Sequence, residues 1–289
     1  MKKFDWKDGI RSPESFFLET DDIFEDLEEK KGTSLLLGKY SLQEVRAVLM
    51  KRNFFKDAQN RGLWPLDYDM DSSEFPPLQR FQIFFKEKKP PNLIVDLKIR
   101  EGKFRPKTKI ALEFGLPEFH FIILDWLTLQ NPLLDFTSEK TPLPGQNHPG
   151  LNLGKKVLDL FDYLARLDNT DGLLAFPAYF HNALLFSRTF RFANPEKRGE
   201  VLAILRSFPE LSFKQLSWVV YLNCLKDKNG QTYEWRAEEQ VHPLARELKK
   251  YFESKAYKET VQKTRENLSF SIDMESFKSK VDDLGLHLF

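Results

Sequence analysis

The chain has one cysteine in 289 residues, Cys224, so no internal disulfide can form, which fits a reducing compartment. It also lacks a long hydrophobic run. The longest apolar stretch, Phe119 to Leu129, is interrupted by His120 and Asp125 and falls far short of a bilayer span. At the N-terminus, Asp5, Lys7, Asp8 and Arg11 break up the continuous apolar segment that a secretory signal needs. A cytoplasmic location with no membrane partner is therefore expected. An excess of one charge is missing too. Lys plus Arg number 44 against 43 Asp plus Glu, so the net charge of +1 gives no global pull toward nucleic acid, which is not expected as a partner.

Metal-ligand spacing is absent as well. The five histidines, His120, His148, His181, His242 and His287, form no paired set, and Cys224 has no second cysteine, so no metal is expected. Asp67, Asp69, Asp71 and Glu74 make an alternating carboxylate run, but it lacks the glycine and the bidentate Glu of a calcium loop and reads as a solvated acidic loop. No internal repeat and no low-complexity tract is present.

What is abundant is phenylalanine, at 27, which implies a core thick in aromatic rings. Residues 1–32 read as an acidic arm. Ser41 and Glu44, three apart, form a capping box that opens a helix running to about Phe55. The segment WPLDYDMDSSEFPP reads as a loop broken by prolines. Phe81, Ile83 and Phe85, then Leu93, Val95, Leu97 and Ile99, alternate with polar residues, as in two half-buried antiparallel strands. FHFIILDWLTLQ is apolar on both faces, which marks an interior strand. After a turn-rich connection, Leu153, Val157, Leu160, Phe161 and Leu164 form the stripe of an amphipathic helix over 153–168. A short strand, LLAFP, and a helix or turn in YFHNALLFSRTF follow. Residues 33–195 read as an α/β (α+β) domain with a mixed, mostly antiparallel central sheet flanked by helices. Residues 196–289 read as a mostly helical extension with a hairpin near Lys228-Asn229-Gly230.

The segments PGLNLGKKVLDLF and GLLAFPAYFHNALLFSRTFRF carry a resemblance. Gly150, Asn152 and Gly154 lead into a helix opened by Lys155 and Lys156, and a strand is followed by Asn182, Ala183 and a closing Phe192. From Phe119 to Phe192 the chain resembles the cofactor half of the GNAT superfamily of acyl-CoA-dependent N-acyltransferases. Pro149 stands at the loop's first position and Asn152 in place of its first glycine.

The resemblance implies a GNAT-like fold binding acetyl-CoA or another acyl-CoA as co-substrate, with an amine as acceptor. The pyrophosphate would lie on the helix-opening amides of Gly150–Lys156, and the pantetheine along Leu127, Leu129 and Gln130, with Asn182 close by. Such a transfer needs an acid and a base near the point where two strands part. Tyr179 or His181 is the acid candidate, and Asp125, His120 or Glu113 the base acting through water. Two alternatives stay open. One is a non-catalytic GNAT-like module that binds partners. The other is a nucleic-acid-associated protein using the basic 86–109 hairpin, a stretch that also reads as the wet face of that hairpin.

Overall fold

A computed structural model describes residues 33–137, 139–286 and 288; the acidic arm expected over 1–32 and His287 lie outside them. The chain divides into two compact units, Met1–Arg100 and Glu101–Phe289. Position 195, where the sequence suggested a change of character, lies inside the second unit.

In the first unit, α1 spans Leu42–Lys51 and α2 spans Phe54–Asn60. The capping box forms as expected: the Glu44 amide donates to Ser41 Oγ at 3.3 Å, and the Ser41 amide donates to Glu44 Oε2 at 2.9 Å. The single expected helix is cut at Asn53, whose φ of 59° is left-handed and restarts the chain as α2.

Three strands follow, β1 (Leu66–Asp71), β2 (Gln79–Phe85) and β3 (Leu93–Phe104), paired β1 with β2 and β2 with β3, both antiparallel. β1 corrects the loop expected there. Leu66, Tyr68 and Met70 alternate with Asp67, Asp69 and Asp71, a period of two that the carboxylates and flanking prolines disguise. Asp67, Asp69 and Asp71 thus form one face of a strand, with Glu74 in the turn beyond it, and Asp69 pairs with Lys88 at 3.0 Å.

In the second unit, α3 (Lys109–Glu113) precedes β4 (Phe119–Leu129), α4 (Gly154–Leu167), β5 (Gly172–Ala175), α5 (Phe180–Phe186) and β6 (Arg191–Phe192). Then come α6 (Pro195–Ser207), α7 (Phe213–Tyr221), β7 (Leu225–Asp227), β8 (Gln240–Pro243), α8 (Arg246–Glu253), α9 (Lys255–Asn267), β9 (Phe270–Ile272) and α10 (Met274–Asp283). The region beyond 196 is mostly helical, yet it also supplies β8, which lies between β5 and β6 and pairs antiparallel with both. β7 and β9 form a separate two-stranded ladder. β4 and β5 pair in parallel. The fold is mixed α/β, with mostly antiparallel pairing and helices on the sheet, as the sequence indicated.

Two cores hold this unit. In one, Phe119, Phe121 and Ile123 of β4, Leu174 of β5 and Val241 of β8 meet Leu248, Tyr251 and Phe252 of α8 and Tyr257 and Val261 of α9. Truncating a fully buried ring such as Phe121 to alanine costs roughly 3–5 kcal/mol. The other core packs Phe180 and Ala183 of α5 against α6, α7 and α10, with Cys224 buried inside it. On the opposite face of the sheet lies α4, whose Asp162 reaches His242 of β8. Helices therefore cover both faces of the β4–β5–β8 region.

Candidate functional site

The connection before α4 returns along the end of β4. The Asn131 amide donates to Pro149 O at 2.8 Å and the Leu151 amide to Leu129 O at 3.3 Å. Leu151 and Leu153 are buried, and between them Asn152 is exposed with a left-handed φ of 57°. Two apolar anchors on either side of one left-handed residue aim the chain into the helix. Leu153 is the N-cap and offers no side-chain acceptor; the first turn holds no acid, while Lys155 and Lys156 are exposed on it. A Cβ built on Gly154 would meet nothing within 4 Å. The N-terminus of α4 thus has no side-chain cap and carries Lys155 and Lys156 in its first turn, a combination that suits an anion.

The β4–β5 ladder ends at Leu124–Ala175, whereas β4 continues from Asp125 to Leu129. The His120 carbonyl accepts from the Asp171 amide, so the main-chain groups of even-numbered β4 residues face β5. Those of Trp126 and Thr128 consequently point to the side where β5 has already stopped. β5 stops at Ala175 while β4 runs on for five residues. Leu127 and Leu129, half-buried, share the β4 face of Phe119 and Phe121, and Asp125 is the first residue past the ladder on that same face.

Beyond β5 the chain runs through Phe176 and Pro177 to Tyr179 and α5. There a cavity of about 440 Å³ is walled by Tyr179, His181, Tyr221, Glu234 and Trp235, among others. Tyr179 and His181 stack with ring centroids 5.3 Å apart and planes 20° from parallel. Gly145, at φ +74°, lets the preceding connection lie against the Tyr179 hydroxyl, a position in which any Cβ would collide. Trp218 Nε1 donates to Pro142 O at 2.9 Å and Lys214 Nζ to Thr141 Oγ1 at 2.9 Å, which pins that connection onto α7. His181 is 3% exposed and its Nδ1 has no partner. Burial pushes its pKa down to about 4, so the imidazole is neutral at ordinary pH.

The predicted residues fall into groups. Gly150, Asn152, Gly154, Lys155 and Lys156 lie together at the start of α4. Tyr179 and His181 lie on the cavity wall; Asp125, Leu127, Leu129 and Asn182 do not. Asn182 is half-exposed in the first turn of α5. His120 faces Glu101 at 3.2 Å, and Glu113 faces Lys109 at 3.9 Å on the surface. Ser187 donates to Ala183 O at 2.7 Å and Arg191 donates to Ser187 O and Phe190 O, so both tie down the end of α5.

Sequence reasoning missed Tyr221, Glu234 and Trp235, which come from the end of α7 and the stretch before β8. No local motif marks them. It also missed Lys197, whose side chain is 4% exposed and whose Nζ lies 2.7 Å from Glu200 Oε1 and 4.5 Å from the Trp235 ring centroid. Tyr233 donates to the same Glu200 oxygen at 2.5 Å. Burial, then the Glu200 charge, pushes the Tyr233 hydroxyl far up, so it stays a donor.

Among the described residues, no group of three or more His, Cys, Asp or Glu is placed to hold a metal ion. No described helix is long and apolar enough to cross a membrane. No protein-family model matches the chain, and no curated protein matches it. Among solved structures it is similar to AtaT complexed with acetyl-methionyl-tRNAfMet, at 12% identity over 51% of this chain and 74% of that one, with a TM-score of 0.25. A likeness at that level decides nothing about activity.

Proposed function

We propose that the chain is a GNAT-like, acyl-CoA-dependent N-acyltransferase. The observation that carries this reading is the stretch of β4 beyond Leu124 that β5 no longer pairs, with the N-terminus of α4 opening without a side-chain cap. In this reading a thioester arm lies along the unpaired Leu127 and Leu129 of β4. The first-turn amides of α4, with Lys155 and Lys156, would hold the pyrophosphate through hydrogen bonds and charge. Open space at Gly154 supports the fit. Pro149, which has no N–H, narrows the cradle to residues 150–156.

Acyl-CoA supplies an activated thioester. The acceptor nitrogen forms a bond to the acyl carbon, the C–S bond breaks with its electron pair on sulfur, and the ammonium loses two protons, one to the thiolate and one to solvent. In this reading Tyr179 donates the proton to the departing sulfur. Neutral His181 accepts a hydrogen bond from the attacking nitrogen. Asp125, just past the ladder, takes up the solvent-bound proton through water.

The test is thermal. Acetyl-CoA at a hundred times its Kd stabilises a protein that binds it by roughly 2.7 kcal/mol. The expected result is a rise in Tm for the natural chain and none for Gly154→Asp, whose unliganded Tm should hold, because the new side chain meets nothing and a carboxylate suits a helix start. No shift in the natural chain, or an equal shift in the variant, overturns the reading.

A further inference from the structure

The wall of the cavity beside His181 is chemically lopsided. Four aromatic side chains, Tyr179, Phe180, Tyr221 and Trp235, contribute to it, and Glu234 is its only acidic side chain; it has no lysine or arginine. Tyr179 and Tyr221 lie with centroids 6.0 Å apart, planes tilted by 47°. Aromatic faces carry negative potential and attract cations, by roughly 0.5–2 kcal/mol per ring depending on desolvation. The buried cation Lys197 is off the wall, stands 4.5 Å from the Trp235 ring centroid and is paired with Glu200.

Two wall residues also hold unused hydrogen-bonding capacity. His181 Nδ1 and Trp235 Nε1 are both buried and both without a partner. An orphaned polar atom of this kind costs about 1–3 kcal/mol, and because both atoms are covered by protein, a ligand bonds them and removes that cost by a turn of each ring. Indole N–H can only donate, so it calls for an oxygen acceptor, while a neutral imidazole nitrogen accepts from an N–H. The volume of about 440 Å³ lies in the range of small-molecule sites and far below what a polymer end with its flanking residues would occupy.

We infer that this cavity binds a compact organic cation, an arylalkyl or alkyl ammonium ion bearing an oxygen acceptor. Its charge would meet Glu234 and the tyrosine ring faces, its N–H groups the imidazole, and its oxygen the indole. Binding stands on the cavity alone. That this cation is the acyl acceptor rests on the transferase reading above.

Titration calorimetry on the full chain without acyl-CoA tests the binding, with tyramine as probe and 3-(4-hydroxyphenyl)propionate, of the same ring and hydroxyl but opposite charge, as comparator. Tyramine should bind at least tenfold tighter. Glu234→Gln, at an exposed position, should reduce that preference at least threefold, and Tyr221→Leu should weaken tyramine by a similar factor with both variants folded by circular dichroism. Equal or tighter binding of the propionate, no tyramine binding at millimolar concentration, or tyramine binding unchanged in both variants overturns the inference. Tyramine binding in a protein that gives no acetyl-CoA shift keeps the site and removes only its role as acceptor.

Discussion

His242 on β8 and Asp162 on α4 meet side chain to side chain, Nε2 to Oδ1, at 2.8 Å, and Arg166 donates two further bonds to the same carboxylate at 2.8 and 3.0 Å. One acid thereby fastens the helix to the sheet. Burial pushes the Asp162 pKa up, but the hydrogen bonds and charges of Arg166 and His242 outweigh it and hold the group below the usual carboxylate range. A depressed carboxylate adds stability above its unfolded pKa of about 3.9, lost as pH falls through the lower folded value. Asp162→Asn should cost about 1 kcal/mol at pH 7 and flatten the acid limb of stability below about pH 4, measured by urea titration across pH.

His181 acts at a different pH. Its folded pKa of about 4 lies below the ordinary value of 6.5, so the unfolded chain binds the proton first. Stability should fall as pH drops from 6.5 toward 4, by about 2 kcal/mol between pH 7 and pH 5. His181→Gln should remove that slope; an unchanged slope would mean that another group carries it.

Lys197 and Glu200 should prove strongly coupled. Lys197→Met leaves Glu200 without its cation in a largely dry site and should cost roughly 2–4 kcal/mol. Lys197→Met with Glu200→Leu should recover more than half of that loss in denaturant unfolding. If the double variant is as unstable as the sum of the singles, the pair is not coupled.

Gly199 lies where α6 crosses α9. A Cβ there would sit 2.6 Å from Thr264 Cβ and 2.7 Å from Val261 O, and neither backbone-bound atom can swing away. Gly199→Ala should destabilise by about 1–2 kcal/mol, since overpacking outweighs the gain in helix propensity. Gly154→Ala, facing open space, should be neutral or stabilising, and comparing the two melting temperatures checks the claim.

Where short-range physics decides, the sequence was legible. The Ser41–Glu44 capping box needs only a spacing of three. The stripe Val157, Phe161 and Leu164 is buried on α4 as its period requires, and β4 is apolar on both faces because helices cover both. β1 was readable in principle from Leu66, Tyr68 and Met70 but was obscured by the intervening aspartates. β8, only four residues long, left too little pattern to read; its place is set by pairing with β5 and β6.

The local sequence alone determined the capped helices, the periodic strands, the loop that opens α4 and the apolar seam it rests on, because capping, periodicity and backbone handedness act over a few residues. Only tertiary structure decided that Tyr179 and His181 meet Tyr221 and Trp235 across a cavity, and that β4 outlasts its pairing with β5. Those partners lie far apart along the chain. Their meeting depends on how α7 and the stretch before β8 pack, and the energy of that packing is shared over two whole cores rather than written in any one motif.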